Sequence, residues 1–524
     1  MEWSNRGEVI QMFENIPILS ILLALPFIGA LIAFMLNSNP KMSKIVAMVF
    51  SAIPLALASL MMVDMVQQGY DFSTYSYHES YVWIEQLGIS FTLGIDGISA
   101  PMVWLTTLSV FLAIVFSWDV EKRTASYMAL MLILEVGVLG VFMALDYFLF
   151  YVFWEIVLIP MFFLIAIWGG PRRDYASIKF FIYTHVASLF MLLGIFALYF
   201  EAAGDLGYYT FDMAAIATVS GDFAIMFQTL VFGLLFFGFI VKMPMVPFHT
   251  WLPDAHVEAP TAGSVLLAGL LLKMGSYGII RIAMPTLPGA WNLEFGALEN
   301  SVFPGLSDWQ IVMIVLGVLS MLYGAVMCIA QKDIKKMVAY SSISHMGGVL
   351  LAFATFTEVG LAAGVFMMFA HGLITAVLFM MAGVIQHKTG TRMIPRLGGL
   401  AAKVPKASVF MMIGFMASLG LPGLVGFIAE FGIFTATYNA FGWLLLVPII
   451  SVALTAAYYI WAMQRVLFGP VTKDIDLEHL HDVSWYEAAP LAAFVGFIVL
   501  FGLWPALILD YIVPAVGKIL VGVF

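Results

Sequence analysis

The chain has 524 residues, of which 63% are hydrophobic and only 10% are charged, whereas soluble domains average about 25% charged residues. This composition excludes an ordinary soluble globule and predicts an all-α polytopic membrane protein. The single cysteine, Cys328, excludes an intrachain disulfide framework and a cysteine-ligated iron–sulfur cluster, and the formal net charge of −10 argues against a nucleic-acid partner.

Runs of about 20 apolar residues predict membrane-spanning helices. The first run follows the acidic segment 1–15, whose charge is wrong for a signal peptide, so it is predicted to be a retained span. The fourteen predicted spans lie near 16–36, 43–66, 97–118, 125–145, 147–169, 175–200, 223–252, 259–284, 309–331, 333–356, 359–387, 407–439, 443–468 and 486–516. Together they are expected to form one membrane domain, with 1–124 as an N-terminal three-helix part and 486–524 as the C-terminal helix.

Basic residues test this arrangement, because they concentrate in the connections after odd-numbered spans. They are Lys41, Lys44, Lys122, Arg123, Arg172, Arg173, Lys179, Lys332, Lys335, Lys336, Lys388, Arg392, Arg396, Lys403, Lys406, Arg465 and Lys473. The connections after even spans carry acids instead, such as Asp64, Glu294 and Glu299, with Arg281 at the end of span 8 as the exception. The positive-inside rule therefore predicts odd connections in the cytoplasm and both termini outside.

The connection from 67 to 96 is the longest between two spans. It alternates apolar and polar residues from Tyr81 to Leu93, a pattern that is typical of a β-hairpin. We therefore expect a short hairpin on the outer surface and no separate soluble domain.

Two spans carry proline motifs that predict a break in the helix. Span 7 includes Pro244 and Pro247, and span 12 includes Gly420-Leu-Pro422-Gly423. Broken helices in corresponding places are typical of a transporter's ion path, although two independent proline kinks would give the same pattern. Because the breaks are five helices apart, the sequence predicts two inverted five-helix repeats, spans 4–8 (125–284) and 9–13 (309–468).

Titratable side chains interrupt several apolar runs at membrane depth. A charge at the centre of a span costs about 2.5–3.5 kcal/mol on insertion scales, so a chain that keeps several is predicted to move charge. The candidates within spans are Glu135, Glu155, His185, Lys242, Lys273, His345, His371 and Glu430. Lys273 is the deepest, and Glu155 needs either a partner, such as Lys242 or Lys273, or a proton.

A purely structural role is also open for some of these residues. Lys242 could lie near a helix end and extend its ammonium to water, and a membrane histidine is often only an interhelical hydrogen bond. His249, Asp254 and His256 follow the break in span 7 and could line a cytoplasmic path for protons or ligate a metal. The path is favoured, because no third strong ligand is evident. Glu135 has no assignable role, and for His185 a structural role and a relay role are evenly balanced.

Long stretches around these residues resemble the antiporter-like subunits of respiratory complex I. The stretches are FWEIVLIPMFFLI, KMPMVPFHTWLPDAHVEAPTAGSVLLAGLLLKMGSYG, AYSSISHMG, MMFAHGLITAVLFMMAG and GLPGLVGFIAEF. In that family a helix 5 glutamate and a helix 7 lysine form a coupled pair, and a helix 8 lysine is the central relay. Histidines then lead to a final residue in helix 12. The resemblance carries these roles to Glu155, Lys242, Lys273, His345, His371 and Glu430, and it implies that Lys242 does not extend to water.

Glu430, the last residue of this series, indicates which subunit type of the family the chain resembles. Sister subunits usually carry lysine in the broken helix 12, whereas this chain carries Glu430, the pattern of the M-type (chain 4) subunit. The resemblance implies a proton-translocating membrane-arm subunit of a redox-driven NADH:quinone-type oxidoreductase. It further implies L-type and N-type neighbours, lipid contacts, no cofactor on this chain, and flavin and iron–sulfur clusters on partner subunits.

Other assignments stay open at this point. The chain could belong to a multi-subunit cation/proton antiporter or to a membrane-bound hydrogenase-type complex, and the electron donor could be a reduced deazaflavin instead of NADH. The expected location is the cell membrane of a bacterium or an archaeon, with the mitochondrial inner membrane as the alternative.

Overall fold

The computed structural model of the chain describes residues 16–292, 306–470, 472 and 480–523. The predictions for the segment 1–15 and for Glu294, Glu299 and Lys473 lie outside these residues. Numbered by span, the helices before the first break and the two strands are α1 Ile18–Met35, α2 Pro40–Gln67, β1 Ser76–Ile84, β2 Ile89–Ile95, α3 Ser99–Phe116, α4 Thr124–Met143, α5 Tyr147–Trp168, α6 Arg173–Leu206 and α7a Ile225–Lys242.

The remaining helices begin after the first break. They are α7b Trp251–Glu258, α8 Thr261–Thr286, α9 Asp308–Ala330, α10 Ile334–Ala354, α11 Glu358–Thr389, α12a Pro405–Ser418, α12b Val425–Phe441, α13 Leu446–Met463, α14 Trp485–Leu503 and α15 Ala506–Val523.

The described residues contain thirteen stretches that are long and apolar enough to cross a membrane. That count takes Val425–Phe468 as one stretch, although it holds both α12b and α13. The fourteen predicted spans therefore all have counterparts, and the prediction of an all-α polytopic fold is confirmed. The inverted relation of 125–284 and 309–468, and the division into an N-terminal part and two repeats, stay predictions.

The connections fall on two sides, as the span count requires. On one side, here called the basic side, Lys44 donates to Trp118 O at 2.6 Å and Lys122 donates to Ile167 O at 2.6 Å. The opposite, hairpin side carries the antiparallel pair β1–β2, with Tyr81 opposite Phe91. The predicted hairpin is confirmed, and Glu79 of β1 accepts from Leu19 N at 2.7 Å at the start of α1.

Proline explains both the break in span 7 and one predicted boundary that was wrong. Span 7 is discontinuous as predicted, with α7a ending at Lys242 and α7b beginning at Trp251. Pro244 has no N–H to donate to Ile240 O, which accepts from Met245 N at 2.9 Å instead. Span 14 was expected to run to residue 516, but α14 ends at Leu503 because Pro505 forces Trp504 out of the helical region. The segment 486–524 therefore holds two helices, not one.

The helices differ in how far they are covered by the rest of the chain. α3, α4, α8, α10 and α11 are almost entirely buried, whereas α2, α6, α9 and α14 expose much of their apolar surface. Large side chains such as Leu193, Phe200 and Leu230 lie uncovered on that outer surface. An uncovered apolar surface of this size is typical of contact with lipid or other membrane chains. The central helices α8, α10 and α11 carry Lys273, His345 and His371.

Candidate functional site: a row of buried titratable residues

Glu155 lies next to an interruption of α5. Pro160 has no N–H for Ile156 O, and a single turn residue, Val157, interrupts the regular helix. The turn leaves the Glu155 carboxylate beside α6, where Oε2 is 2.9 Å from His185 Nδ1 and Oε1 accepts from Ser188 Oγ. Among the described residues no lysine nitrogen lies within 4 Å of this carboxylate. The expectation that Glu155 pairs directly with Lys242 or Lys273 is therefore wrong for this conformation.

Lys242 is the last residue of α7a and is 1% exposed. Its Nζ lies 5.1 Å from the ring centroid of Trp154, within the range of a cation–π contact. In the described part of the chain Nζ has no hydrogen-bond partner. The side chain does not reach water, so the alternative in which Lys242 extends to the membrane surface is wrong. Trp154 immediately precedes Glu155 and lies beside the lysine.

Lys273 lies at the middle of the core, in an irregular part of α8. Two π-helical turns, 267–271 and 279–283, flank it, and such turns are frequent at functional sites. Its Nζ donates to Ala268 O and lies 2.7 Å from Nδ1 of His371 on α11. Gly372 permits α11 to pack this closely against α8, because a Cβ at position 372 would lie 3.1 Å from Gly269 O.

His371 continues the row toward α10 and the second broken helix. Its ring centroid lies 5.5 Å from that of His345. His345 Nε2 is 3.3 Å from Ser418 Oγ, and Nδ1 is 3.9 Å from Glu430 Oε1. Ser418 Oγ donates its proton to Tyr459, so it accepts a hydrogen bond from His345 Nε2. The lone pair of the His345 ring is then on Nδ1, which faces Glu430.

The break between α12a and α12b positions Glu430. Pro422 has no N–H for Ser418 O, and Gly420 adopts a left-handed φ of +76°. A Cβ at Gly420 would lie 2.0 Å from Glu430 Oε2, so the carboxylate rests against the break itself. A cavity of about 20 Å³ adjoins Glu430 and His345, which is large enough for one water molecule. A water there would connect the two side chains.

The other predicted candidates are spread more widely. Glu135 on α4 is fully buried, and neither carboxylate oxygen has a partner in the described residues. His256 is also fully buried and stacks on Phe379 at 4.4 Å. Asp254 binds Lys179 at 2.7 Å, and His249 packs against Tyr323. The described residues hold no group of three potential ligands placed for a metal ion.

The residues that sequence reasoning did not single out lie mainly on the basic side. Lys335 was counted among the basic residues of the connection after span 9, and it is only 3% exposed and donates to Ala259 O at 2.5 Å. It borders a cavity of about 530 Å³, here called the basic-side cavity. The polar lining of this cavity includes Asp119, Glu258, Lys335, His387, Arg392 and Glu487. These residues come from five separate connections, so no local pattern could have indicated the cavity.

The sequence profile described as NADH:quinone oxidoreductase/Mrp antiporter, TM, matches residues 144–455. This range is more than half of the chain and contains Glu155, Lys242, Lys273, His345, His371 and Glu430. The chain belongs to this family.

Three similar proteins narrow the position within the NADH:quinone oxidoreductase/Mrp antiporter family. The F(420)H(2) dehydrogenase subunit M of Methanosarcina mazei is 41% identical over 506 residues, which cover 95% of this chain and 97% of that protein. The NADH-quinone oxidoreductase subunit M of Rickettsia typhi is 35% identical over 515 residues, covering 97% and 99%. A chain of respiratory complex I from Thermus thermophilus with bound NADH superimposes with a TM-score of 0.82 at 28% identity, covering 96% and 99%. The predicted antiporter-like M-type subunit is confirmed.

Proposed function

We propose that this chain translocates protons through the membrane along the row Lys273, His371, His345 and Glu430, driven by redox chemistry on partner subunits. The contact between Lys273 Nζ and His371 Nδ1 carries the proposal, because it joins two titratable groups on different helices inside the buried core. Each further step to Glu430 is within reach of one side-chain movement or one water molecule. General acid–base groups at such distances pass protons without a cofactor.

Glu155 and Lys242 act as the coupling element at the other end of the row. An unpaired ammonium at membrane depth costs about 2.5–3.5 kcal/mol, and one charge moving across 100 mV costs about 2.3 kcal/mol. The approach or withdrawal of the Glu155 carboxylate can therefore decide whether Lys242 keeps a proton. In the present conformation, Glu155 binds His185 and Ser188, which corresponds to the withdrawn state.

Protons enter from the basic side in this proposal. The basic-side cavity reaches the start of α8, and Lys335 borders it. His256 lies buried in α7b, close by in sequence to the cavity residue Glu258, and both of its ring nitrogens lack partners in the described residues. His249 and Asp254 on the same connection are secondary candidates for this path, and Glu135 has no contact that assigns it a place.

The orientation and the assembly follow from the same proposal. The basic side faces the cytoplasm and both termini face outward, as the distribution of lysine and arginine requires. The two five-helix segments are inverted repeats, each contributing one broken helix. In the cell membrane of a bacterium or archaeon, L-type and N-type subunits and lipids cover the exposed apolar surface.

Redox chemistry belongs to other subunits in this proposal. Flavin and iron–sulfur clusters are expected there, and this chain contributes only proton transfer. The greater identity to the F(420)H(2) dehydrogenase subunit M than to the NADH-quinone oxidoreductase subunit M supports a reduced deazaflavin as the electron donor. The cation/proton antiporter and hydrogenase-type alternatives are not favoured, because these relatives are subunits M of dehydrogenase or oxidoreductase complexes.

The test is proton pumping by the assembled complex in proteoliposomes. Lys273→Met should remove this subunit's contribution to the number of protons pumped per electron. The partner subunits should still assemble with the variant chain. Lys332→Met changes an exposed lysine of the basic side and serves as the control. An assembled Lys273→Met complex with the normal number of protons per electron would contradict the proposed row.

A further inference from the structure

A buried ion pair lies on α8 beyond Lys273, on the way to the hairpin side. Arg281 Nη1 is 3.0 Å from Asp96 Oδ2, and the two side chains are only 12% and 2% exposed. Tyr75 covers the guanidinium at 4.4 Å from its ring centroid. The proposed proton row does not use this cluster, and Arg281 is the basic residue that interrupts the alternation of charge along the sequence.

The geometry of α8 aligns this cluster with the central lysine. Lys273 and Tyr277 are four residues apart in the α-helical stretch 272–278, which places them on one helix face. Arg281 follows in the second π-helical turn, and its guanidinium interacts with the Tyr277 hydroxyl. α8 begins beside the basic-side cavity and ends at Thr286, whose hydroxyl is 2.7 Å from Tyr147 on the hairpin side. A proton that left Lys273 directly toward the hairpin side would therefore meet Tyr277 and then Arg281.

Both groups are already engaged in other contacts. The Tyr277 hydroxyl donates to Phe142 O at 3.1 Å and interacts with the Arg281 guanidinium. A guanidinium stays charged in proteins and has no acceptor atom. The face of α8 beyond Lys273 therefore ends in groups that do not take up protons.

The Asp96 carboxylate is also engaged through both of its oxygens. Its Oδ1 accepts from Ile98 N at 3.1 Å, Ser99 N at 3.0 Å and Ser99 Oγ at 3.1 Å, and its Oδ2 binds Arg281. Both oxygens of this carboxylate are therefore engaged in contacts within the cluster. In contrast, the lateral neighbour His371 has its Nε2 without a partner in the described residues.

We propose that Arg281, held by Asp96 and covered by Tyr75, seals the hairpin-side end of α8, so that a proton on Lys273 leaves sideways to His371 and not directly outward. The proposal rests on the proposed function, because it explains the direction in which a proton leaves Lys273 along the same row of residues. Arg281 acts as a positioning residue through its charge and its ion pair with Asp96. Arginine excludes protons from other membrane pores in this manner.

The size of the effect follows from the spacing. Eight residues of helix place Arg281 about 12 Å from Lys273 along the axis. The removal of one charge at that distance, at an effective dielectric constant of about 20, lowers a barrier by up to about 1.4 kcal/mol, which is up to about tenfold in rate. Pairing with Asp96 reduces this value, so a leak of several-fold is expected.

The experiment measures passive proton permeability of the assembled complex in proteoliposomes, without electron donor, and protons per electron during turnover. Arg281→Met should raise the permeability several-fold and lower the protons per electron. Arg281→Lys keeps a fixed cation and should restore the seal, and Asp96→Asn keeps the guanidinium and should leak less than Arg281→Met. Equal permeability of Arg281→Met and the unchanged protein would overturn the proposal. If Arg281→Met does not assemble, Arg281→Gln takes its place with the same two outcomes.

A double variant separates this inference from the proposed function. In Lys273→Met/Arg281→Met the leak should disappear, because the leaking proton passes through Lys273. A leak that persists in the double variant would show that the proton does not come from Lys273 and would overturn the sealing role. Lys273→Met alone tests the row itself, since it should stop pumping without any leak.

Discussion

Lys273 Nζ and His371 Nδ1 lie 2.7 Å apart although 98 positions separate the two residues in the chain. The contact joins α8 to α11, the most completely buried helix of the structure. A fully buried amine next to a fully buried imidazole is stable when one proton is shared between them, and costly when both are charged. The pair therefore exchanges a proton more readily than it holds two.

The first prediction concerns the two histidines of the row. His371→Phe removes the contact with Lys273 while it keeps an aromatic ring in the core, so protons per electron should fall as far as in Lys273→Met. His345→Gln should have a milder effect, because the cavity beside it has room for a water molecule. Proton translocation against electron transfer, measured in the assembled complex, checks both. Equal losses in the two variants would contradict the role of the cavity.

The second prediction concerns Glu155. Glu155→Gln keeps an oxygen for Ser188 and an amide for His185, but it removes the negative charge that Lys242 responds to. Pumping should be largely lost while the complex still assembles. His185→Gln preserves a hydrogen bond to Glu155 and should cause a partial loss. Normal pumping by an assembled Glu155→Gln complex would remove Glu155 from the coupling element.

The depth of the site could be predicted from the sequence, because apolar runs and internal prolines are local signals. Pro244 and Pro422 indicated the two breaks, and Lys273, which was expected deep in a span, is fully buried inside the chain. The relay order came from the family resemblance. The distances between His371, His345 and Glu430 agree with that order.

Other relationships depend on contacts between distant segments and left no local signal. The partner of Glu155 is His185 on the next helix, and nothing in the sequence distinguishes it from a lysine elsewhere in the core. Lys335 follows Lys332 in a basic connection and looks like a surface residue, but the end of α7b packs over it and its ammonium binds Ala259 O. Packing between helices decided both cases.

The third prediction concerns the glycine of the second break. Gly420→Ala places a Cβ 2.0 Å from Glu430 Oε2 and forces alanine into a left-handed φ of +76°. The backbone strain alone costs about 1–2 kcal/mol, and the displaced carboxylate should also impair pumping. We expect a lower thermal stability of the complex together with fewer protons per electron.

Gly390→Ala is the matched control for this variant. Gly390 has a similar φ of +69°, but its Cβ would meet nothing within 4 Å. Gly390→Ala should therefore lower the thermal stability of the complex through backbone strain but leave the number of protons per electron unchanged. If Gly390→Ala and Gly420→Ala impaired pumping equally, the contact with Glu430 would not be the cause.

The fourth prediction concerns the pH dependence of stability on the hairpin side. Asp146 caps the start of α5 and also accepts from Ser90 N at 3.1 Å beside the hairpin. Burial raises the pKa of Asp146 from 3.8 to about 6, against the effect of its hydrogen bonds with Leu149, Ser90 and Phe148. The folded state therefore binds the Asp146 proton more tightly than the unfolded chain does. The resulting contribution to the free energy of unfolding is complete below pH of about 4 and is lost as the pH rises through about 6.

The shift of about two units corresponds to about 3 kcal/mol at most, and Asp146→Asn should remove it. The asparagine oxygen still caps α5, so the variant should be more stable than the unchanged protein at pH 8, and the difference should vanish near pH 4. Thermal unfolding of the purified complex between these values, recorded for both proteins, isolates this group because the other carboxylates cancel in the difference. Parallel stability profiles would show that Asp146 does not titrate on folding.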